Sequence, residues 1–276
     1  MLIMQLKLYK NAKKGLMNQF QNSLRLIILM TILIMSQQYP VMGQGSAGSK
    51  AKMPRLSIVD MPTARILPPK AYRVSGIIMQ ESGILTHVNY GLTKNVNLGF
   101  SYSAMPFLGE GDPILQPLLL FDVRVRLFSE KKNRPAIVLG VNSQGLGAWE
   151  NKRRFEFNAP GIFVSASKNI TWQAGVLSLH GGINYPIMPS AYSNTPGAFV
   201  GVEQSFYKNV TIATEYSGTW NEDPTFMNKN GLLNCAVKYS PFKGINLSIQ
   251  ARDLLESRTN GNGFLRYAGI EYIGIF

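Results

Sequence analysis

The sequence is poor in the side chains that most chemistry needs. It holds one cysteine, Cys235, and two histidines, His87 and His180, among 276 residues. A single thiol excludes an internal disulfide framework and a cysteine-based metal site, and two histidines leave little for a multi-histidine one. No cofactor and no metal are therefore expected. Long apolar runs are scarce too. The best, in "LRLIILMTILIM", has about ten apolar residues from Leu26 to Met35, whereas a membrane-spanning helix needs roughly 20. Acidic residues are missing from 1–25, which carry Lys7, Lys10, Lys13, Lys14 and Arg25 instead. A basic flank, a short apolar core and the small Gly43 read as a secretory signal over residues 1–43, cut near Gly43–Gln44. The alternative is a short membrane anchor. No cysteine adjoins the cut, so a lipid anchor is not expected.

Charge of negative sign is also scarce. The whole chain carries 28 basic and 15 acidic residues; without the five basic residues of the leader, 23 remain against 15, a net of +8. Such a balance raises nucleic acid as a partner. The basic residues are scattered, however, mostly in turns, with neither a basic helix nor an aromatic RNA-binding run, so nucleic acid is not expected.

What is present is alternation. No segment of the mature chain sustains an apolar repeat at helical spacing, and breakers such as "NG", "KN" and "GD" recur along it. In "NVNLGFSYS", Val96, Leu98, Phe100 and Tyr102 share one face, with Asn97, Gly99, Ser101 and Ser103 on the other. "NVTIATEYS" and "INLSIQAR" repeat the pattern. Twelve such segments are predicted, at about 71–81, 84–92, 96–104, 115–128, 135–144, 159–167, 171–182, 197–206, 210–219, 230–239, 245–254 and 264–276. Tight connections ("TKN", "SEKKNR", "KNI", "YKN", "SPFKG") alternate with longer ones, the first hairpin near Glu81–Gly83 excepted. Short turns at one end, long loops at the other and an even strand number describe an outer-membrane barrel. A soluble β-sandwich also uses alternating strands, but it does not require strands of about 9–11 residues, the length needed to cross lipid. The expected fold is all-β: an antiparallel up-and-down transmembrane barrel over 71–276, preceded by the signal peptide and a flexible periplasmic segment over 44–70. The expected location is the bacterial outer membrane, with membrane lipid as one partner.

The chain's last strand, "GFLRYAGIEYIGIF", fits that reading. Phe264, Ala268, Ile270, Tyr272 and Phe276 lie on one face, Gly274 separates the last two aromatics, and Arg266 is the exception. Tyr272, Gly274 and Phe276 resemble the terminal signal read by the barrel assembly machinery, an expected partner. This strand must also close against the first so that no edge remains. Arg73 and Glu271 then both point inward and are expected to meet at the seam; otherwise they are two solvated charges. Phe128, Trp172, Tyr207, Tyr239, Phe242 and Phe276 fall near the short turns, and Tyr102, Phe107, Trp149, Tyr185 and Trp220 near the long loops, as two aromatic girdles would.

The interior is charged. Asp122, Arg124 and Arg126 alternate with apolar neighbours and face inward, as do Glu203, Glu215, Lys238 and Arg252 on later strands. Twelve strands give a backbone radius of roughly 12 Å, so long side chains leave either a narrow polar channel or a plugged, salt-bridged lumen. The charges either pair and stabilise the interior or form a selective constriction. The segment "QGSAGSKAKMPRLSIVDMPTARILPPK" is expected to hang in the periplasm as a docking tail, the alternative being a plug in the lumen.

"MPTARILPPKAYRV", "GLTKNVNLGFSYS", "AIVLGVNSQGLG", "SASKN" with "LSLHGGINY", "FVGVEQSF", "TEYSG" and "RDLL" follow one another in order. Together they resemble the single-barrel relatives of the YjbH-like outer-membrane proteins, over residues 60–276. That resemblance implies a barrel linked to exopolysaccharide production, and no catalytic residues to carry over. Within the motifs, Asn142 and Gln144 of "NSQG", with His180 of "LHGGINY", form a candidate polar rim for a ligand such as a glycan. The bland alternative is that "NSQG" turns the strand into its loop and His180 is a satisfied interior side chain. A lipid hydrolase needs a nucleophile, a base and an orienting group. His180 with Ser143 or Ser178 is the only candidate set, with no acidic residue adjoining in sequence, so no enzyme is expected. Three functions are weighed: a barrel that binds, passes or anchors a polar polymer such as exopolysaccharide, a structural barrel docking periplasmic proteins with its lumen plugged, and the lipid hydrolase.

Overall fold

The computed structural model describes residues 55–276 apart from 108–111, 151–153, 174, 188–194, 207–208, 229, 260 and 262. The leader expected over 1–43, the first part of the following segment and Tyr207 lie outside the described residues. In chain order the strands are β1 (Ala71–Ile78), β2 (Ile84–Gly91), β3 (Val96–Met105), β4 (Ile114–Leu115), β5 (Leu120–Phe128), β6 (Ala136–Asn142), β7 (Leu146–Glu150), β8 (Arg154–Phe157), β9 (Gly161–Trp172), β10 (Gly175–Tyr185), β11 (Gly197–Phe206), β12 (Val210–Ser217), β13 (Leu232–Tyr239), β14 (Ile245–Arg252) and β15 (Leu265–Ile275).

Twelve of these form one closed antiparallel sheet. Each pairs with the strands before and after it, and β15 returns to β1 from Ala71↔Ile275 to Ile78↔Ala268. Two-residue β4 adds to the end of β3, and β7–β8 make a separate hairpin within the long connection between β6 and β9. The twelve wall strands are the twelve expected from alternation, with two shifts: the strand expected over 115–128 begins at Leu120, Ile114–Leu115 standing apart as β4, and one turn comes later than expected. "KNI" does not turn the chain: β9 runs on through Lys168, Asn169 and Ile170 to Trp172, because Asn169 is held from the side by Glu130 and Ser178.

Alternation sorts the wall into two chemistries. Phe100, Phe121, Leu139, Ile183, Val200, Ile212, Val237, Ile249 and Ile270 are exposed on the outside. Between them Ser75, Asn89, Asn97, Asp122, Arg124, Ser165, Glu203, Glu215, Asn234, Lys238 and Glu271 are buried inside. In water such an outer face would be an aggregation surface; around a closed sheet with every ladder paired it is built for lipid. Phe128, Trp172, Tyr239, Phe242 and Phe276 are exposed at the short-turn end, and Tyr102, Tyr185 and Trp220 at the other. Trp149 does not join that girdle: it stacks edge-on against Phe155 within the β7–β8 hairpin, ring centroids 4.9 Å apart. Arg266, the charge on the outer face of β15, lies over the Phe264 ring at 5.1 Å.

The core sits inside the barrel. Near the long loops, Met79, Leu85, Met105, Phe157, Met227, Leu232, Leu265 and Tyr267 form one apolar cluster. The other three clusters are built partly from the chain before β1. Ile58 and Val59 pack on Phe199, Ala213 and Ala236; Ala64 and Ile66 pack on Val138 and Phe163; Leu56 and Leu67 pack on Ala71 and Ile273. Residues 55–67 therefore lie in the lumen, which corrects the expectation of a flexible periplasmic segment for this part of 44–70. Ile58 and Leu67 are fully buried, so the segment gains apolar burial inside the wall that it would lack in water. The wall makes room for it: a Cβ on Gly201 would stand 2.7 Å from Ile58 Cδ1, and one on Gly91 would strike the Pro68 carbonyl.

Candidate functional site

The lumen charges expected from the strand pattern are brought together, and most close on this inner segment. Glu215 on β12 accepts the backbone N–H groups of Val59, Asp60 and Met61 at 2.9–3.0 Å, and the Asn234 amide at 2.9 Å. Several N–H donors converging on one carboxylate offset the cost of burying it. Glu203 on β11 meets Lys238 at 2.8 Å and Arg65 of the segment at 3.1 Å. Lys238 also donates to the Ile58 carbonyl. Arg252 on β14 meets Asp60 at 2.6 Å and stacks over Tyr267, 4.4 Å from the ring centroid. Arg124 pairs with Asp122 at 3.0 Å and donates to the Leu56 carbonyl. Arg126 stands apart: half-buried near the short turns, it donates to the Lys94 carbonyl at 3.4 Å.

This setting acts on Asp60 as well. Burial pushes its carboxyl up to about 7, the Glu215 carboxylate adds to the rise, and Arg252 and Lys238 pull against it.

At the seam, Arg73 on β1 and Glu271 on β15 form an ion pair, with Asn89 and Asn246 completing their hydrogen bonds at 2.9 Å each. Both side chains face the lumen. Tyr272 and Phe276 flank Tyr72 on the outside, with ring centroids 5.9 and 4.6 Å from its own, and Gly274 leaves the space that the Tyr72 ring fills.

Above the segment, toward the long loops, lies a cavity of about 100 Å³. Leu56, Val59, Asp60 and Met61 form its floor, and Asn142, Gln144, Asn158, Asn184, Asn221 and Asn234 supply amides around it. Asn142 and Gln144 thus share one cavity, while His180 does not line it. His180 lies deeper on β10, its Nδ1 2.7 Å from Ser167 Oγ and its Nε2 3.4 Å from Glu203. The candidate rim is two residues of a ring of amides; Asn184 and Asn234 join it from β10 and β13, and Asn158 and Asn221 from loops whose sequences carry no periodic signal.

The serine beside His180 is Ser167, not Ser143 or Ser178. Ser143 bonds the backbone of Phe121, and Ser178 bonds Asn169 and Arg65. Glu203 supplies the acidic neighbour that sequence order concealed. Yet Ser167 Oγ accepts the Ala64 N–H at 2.9 Å, Glu203 is committed to Lys238 and Arg65, and all three are buried under the segment. A nucleophile must reach its substrate; here the serine and the glutamate fasten the inner segment to the wall, and the histidine joins the two of them. No group of three or more His, Cys, Asp or Glu side chains suited to a metal occurs among the described residues.

No family model matches the chain, and no curated protein matches it either. Among solved structures it is similar to the KdgM porin, at 11% identity and a TM-score of 0.46 over 73% of this chain and 98% of that one. It is also similar to the NanC porin, at 12% identity and a TM-score of 0.41 over 74% and 99% of the two chains. A third match is the N-terminal β-barrel domain of Pseudomonas aeruginosa OprF, at 10% identity and a TM-score of 0.24 over 75% and 100%.

Proposed function

We propose that this protein is a bacterial outer-membrane barrel that is closed by its own residues 55–67 and binds a polar polymer, such as an exopolysaccharide, in the cavity above them. The observation that carries this reading is the floor of that cavity. Asp60 and Met61 face the cavity from below while Glu215 holds their N–H groups from the wall. The lumen is therefore occupied by a fastened segment, and ligand access is from the long-loop end. Amide side chains both donate and accept hydrogen bonds, which suits the hydroxyl groups of a neutral sugar. The resemblance of the strand motifs to YjbH-like barrels supports exopolysaccharide as the polymer. On this reading the protein is not an enzyme, and Tyr272, Gly274 and Phe276 present the signal taken up by the barrel assembly machinery.

The test pairs binding with conductance. Full-length protein in detergent is titrated calorimetrically with neutral and acidic polysaccharide fragments, then reconstituted in planar bilayers. Binding that weakens at least tenfold in Asn142→Ala and Asn221→Ala, with little wild-type conductance and open channels on deletion of residues 55–67, is the expected result. An ohmic wild-type pore insensitive to that deletion would overturn the closed-lumen reading, and full binding by both variants would overturn the amide site.

A further inference from the structure

Among the described lumen cations, Arg65, Arg73, Arg124, Lys238 and Arg252 each have a carboxylate partner. Arg55, at the start of the inner segment, has none. It is 7% exposed, and its Nε and Nη2 atoms are buried without a hydrogen-bond partner. Those two atoms form one edge of the guanidinium, the fork that takes a single anion in bidentate fashion. Ser75 on β1, 4% exposed, has a hydroxyl in the same condition.

Both residues line a second cavity of about 40 Å³, which none of the six amides ringing the upper cavity lines. Arg73 and Lys238 line it as well, and Glu271 is its one carboxylate. That carboxylate is bonded to Arg73 and to the Asn246 amide, and it reaches Arg55 only by longer-range attraction, with no hydrogen bond. The wall of the cavity is thus left with excess positive charge and unused donors. Residues 1–54 contain no Asp or Glu, so the chain ahead of Arg55 offers no counter-charge. An arginine stays charged in a protein, and a buried charge needs a partner.

We propose that this cavity binds a small inorganic anion of chloride size, held by Arg55 and Ser75 between the inner segment and the seam of the barrel. At ~10–15 Å³ per water-sized occupant the space takes roughly three, enough for a partly hydrated chloride and too little for a sugar ring. The anion couples the segment to β1, so it stabilises the closed lumen whatever the upper cavity binds.

The experiment measures thermal unfolding of the full chain in detergent, in sodium chloride and in sodium gluconate at equal ionic strength. Chloride raises the midpoint saturably, and gluconate, too large to enter, does not. Arg55→Gln abolishes the difference, and Ser75→Ala moves the half-saturating chloride concentration up by about tenfold while removing no charge, as expected for one lost charged hydrogen bond. In crystals grown with bromide, an anomalous peak lies within hydrogen-bond distance of both side chains. Equal midpoints in the two salts, or a cavity holding water alone in bromide, overturns the proposal. If Arg55→Gln fails to fold, Ser75→Ala and the bromide map decide. Sugar binding that survives in Ser75→Ala separates this site from the amide cavity.

Discussion

Glu215→Ala removes the acceptor of four hydrogen bonds at 2.9–3.0 Å, three of them from consecutive backbone N–H groups of residues 59–61. Each such bond to a charged group is worth ~1.5–3 kcal/mol, and an uncompensated buried donor costs ~1–3 kcal/mol. They are not additive, because truncation admits water and relieves Asp60 of a neighbouring negative charge. A net loss of about 3 kcal/mol for the docked segment follows, of the order found when one partner of a buried pair is removed. At 1.4 kcal/mol per factor of ten, the undocked population rises about a hundredfold. Arg65, 7% exposed, is a built-in reporter: trypsin cuts after it only when the segment leaves the lumen. With reclosing fast, the cutting rate follows the open population. Cleavage at Arg65–Ile66 in folded, detergent-solubilised protein therefore accelerates about a hundredfold in Glu215→Ala, and less in Glu215→Gln, which keeps one acceptor oxygen. A rate within threefold of wild type would refute the reasoning, since the segment would then be held by something other than this carboxylate.

Three other outcomes follow from the same geometry. Ile249→Lys puts a charge on the outer face at 75% exposure and lowers stability by ~2–4 kcal/mol near the bilayer midplane, read from urea unfolding in lipid vesicles; a neutral effect would place that face in water. Asp60 has a folded-state pKa raised to about 7, so the docked state binds the extra proton and is favoured at low pH; docking weakens as pH rises from about 4 to 7 and then levels off. Trypsin cutting at Arg65, corrected for the enzyme's own pH profile, should rise over that range, and Asp60→Asn should flatten it. Arg73→Ala leaves the Glu271 carboxylate unpaired at the seam and costs ~3–5 kcal/mol in thermal or urea unfolding, of which a double-mutant cycle with Glu271→Gln recovers a large part.

The wall of this barrel was legible because its code is local. Phe100, Ile212 and Leu247 alternate with Ser101, Thr211 and Ser248 at a period that needs no knowledge of neighbours, and the pairing register follows from the turns. Arg73 and Glu271 could be matched because closure makes the first and last strands neighbours. The turn at "KNI" was misread because Asn169 looks like a breaker, while Glu130, 39 residues away, and Ser178 on the next strand hold it in β9. The inner segment was illegible for a deeper reason. "RLSIVDMPTARIL" has neither period two nor period 3.6, and its partners Glu215, Glu203, Arg252 and Ser167 lie more than 100 residues away. Its composition describes a linker; only the wall makes it a core. The amides around the upper cavity fail the same way, since Asn158 and Asn221 sit in irregular loops.

The central claim is a closed sheet with lipid outside and its own chain inside, and spin labels along one strand test it most directly. With Cys235→Ser as background, single cysteines at 246–251 of β14 are labelled in reconstituted vesicles. Labels at 247 and 249 should be broadened by oxygen dissolved in the bilayer, whereas those at 248 and 250 should be shielded from oxygen and from a water-soluble nickel complex alike. Uniform access along the strand, or free access of the nickel complex at 248 and 250, would contradict the account.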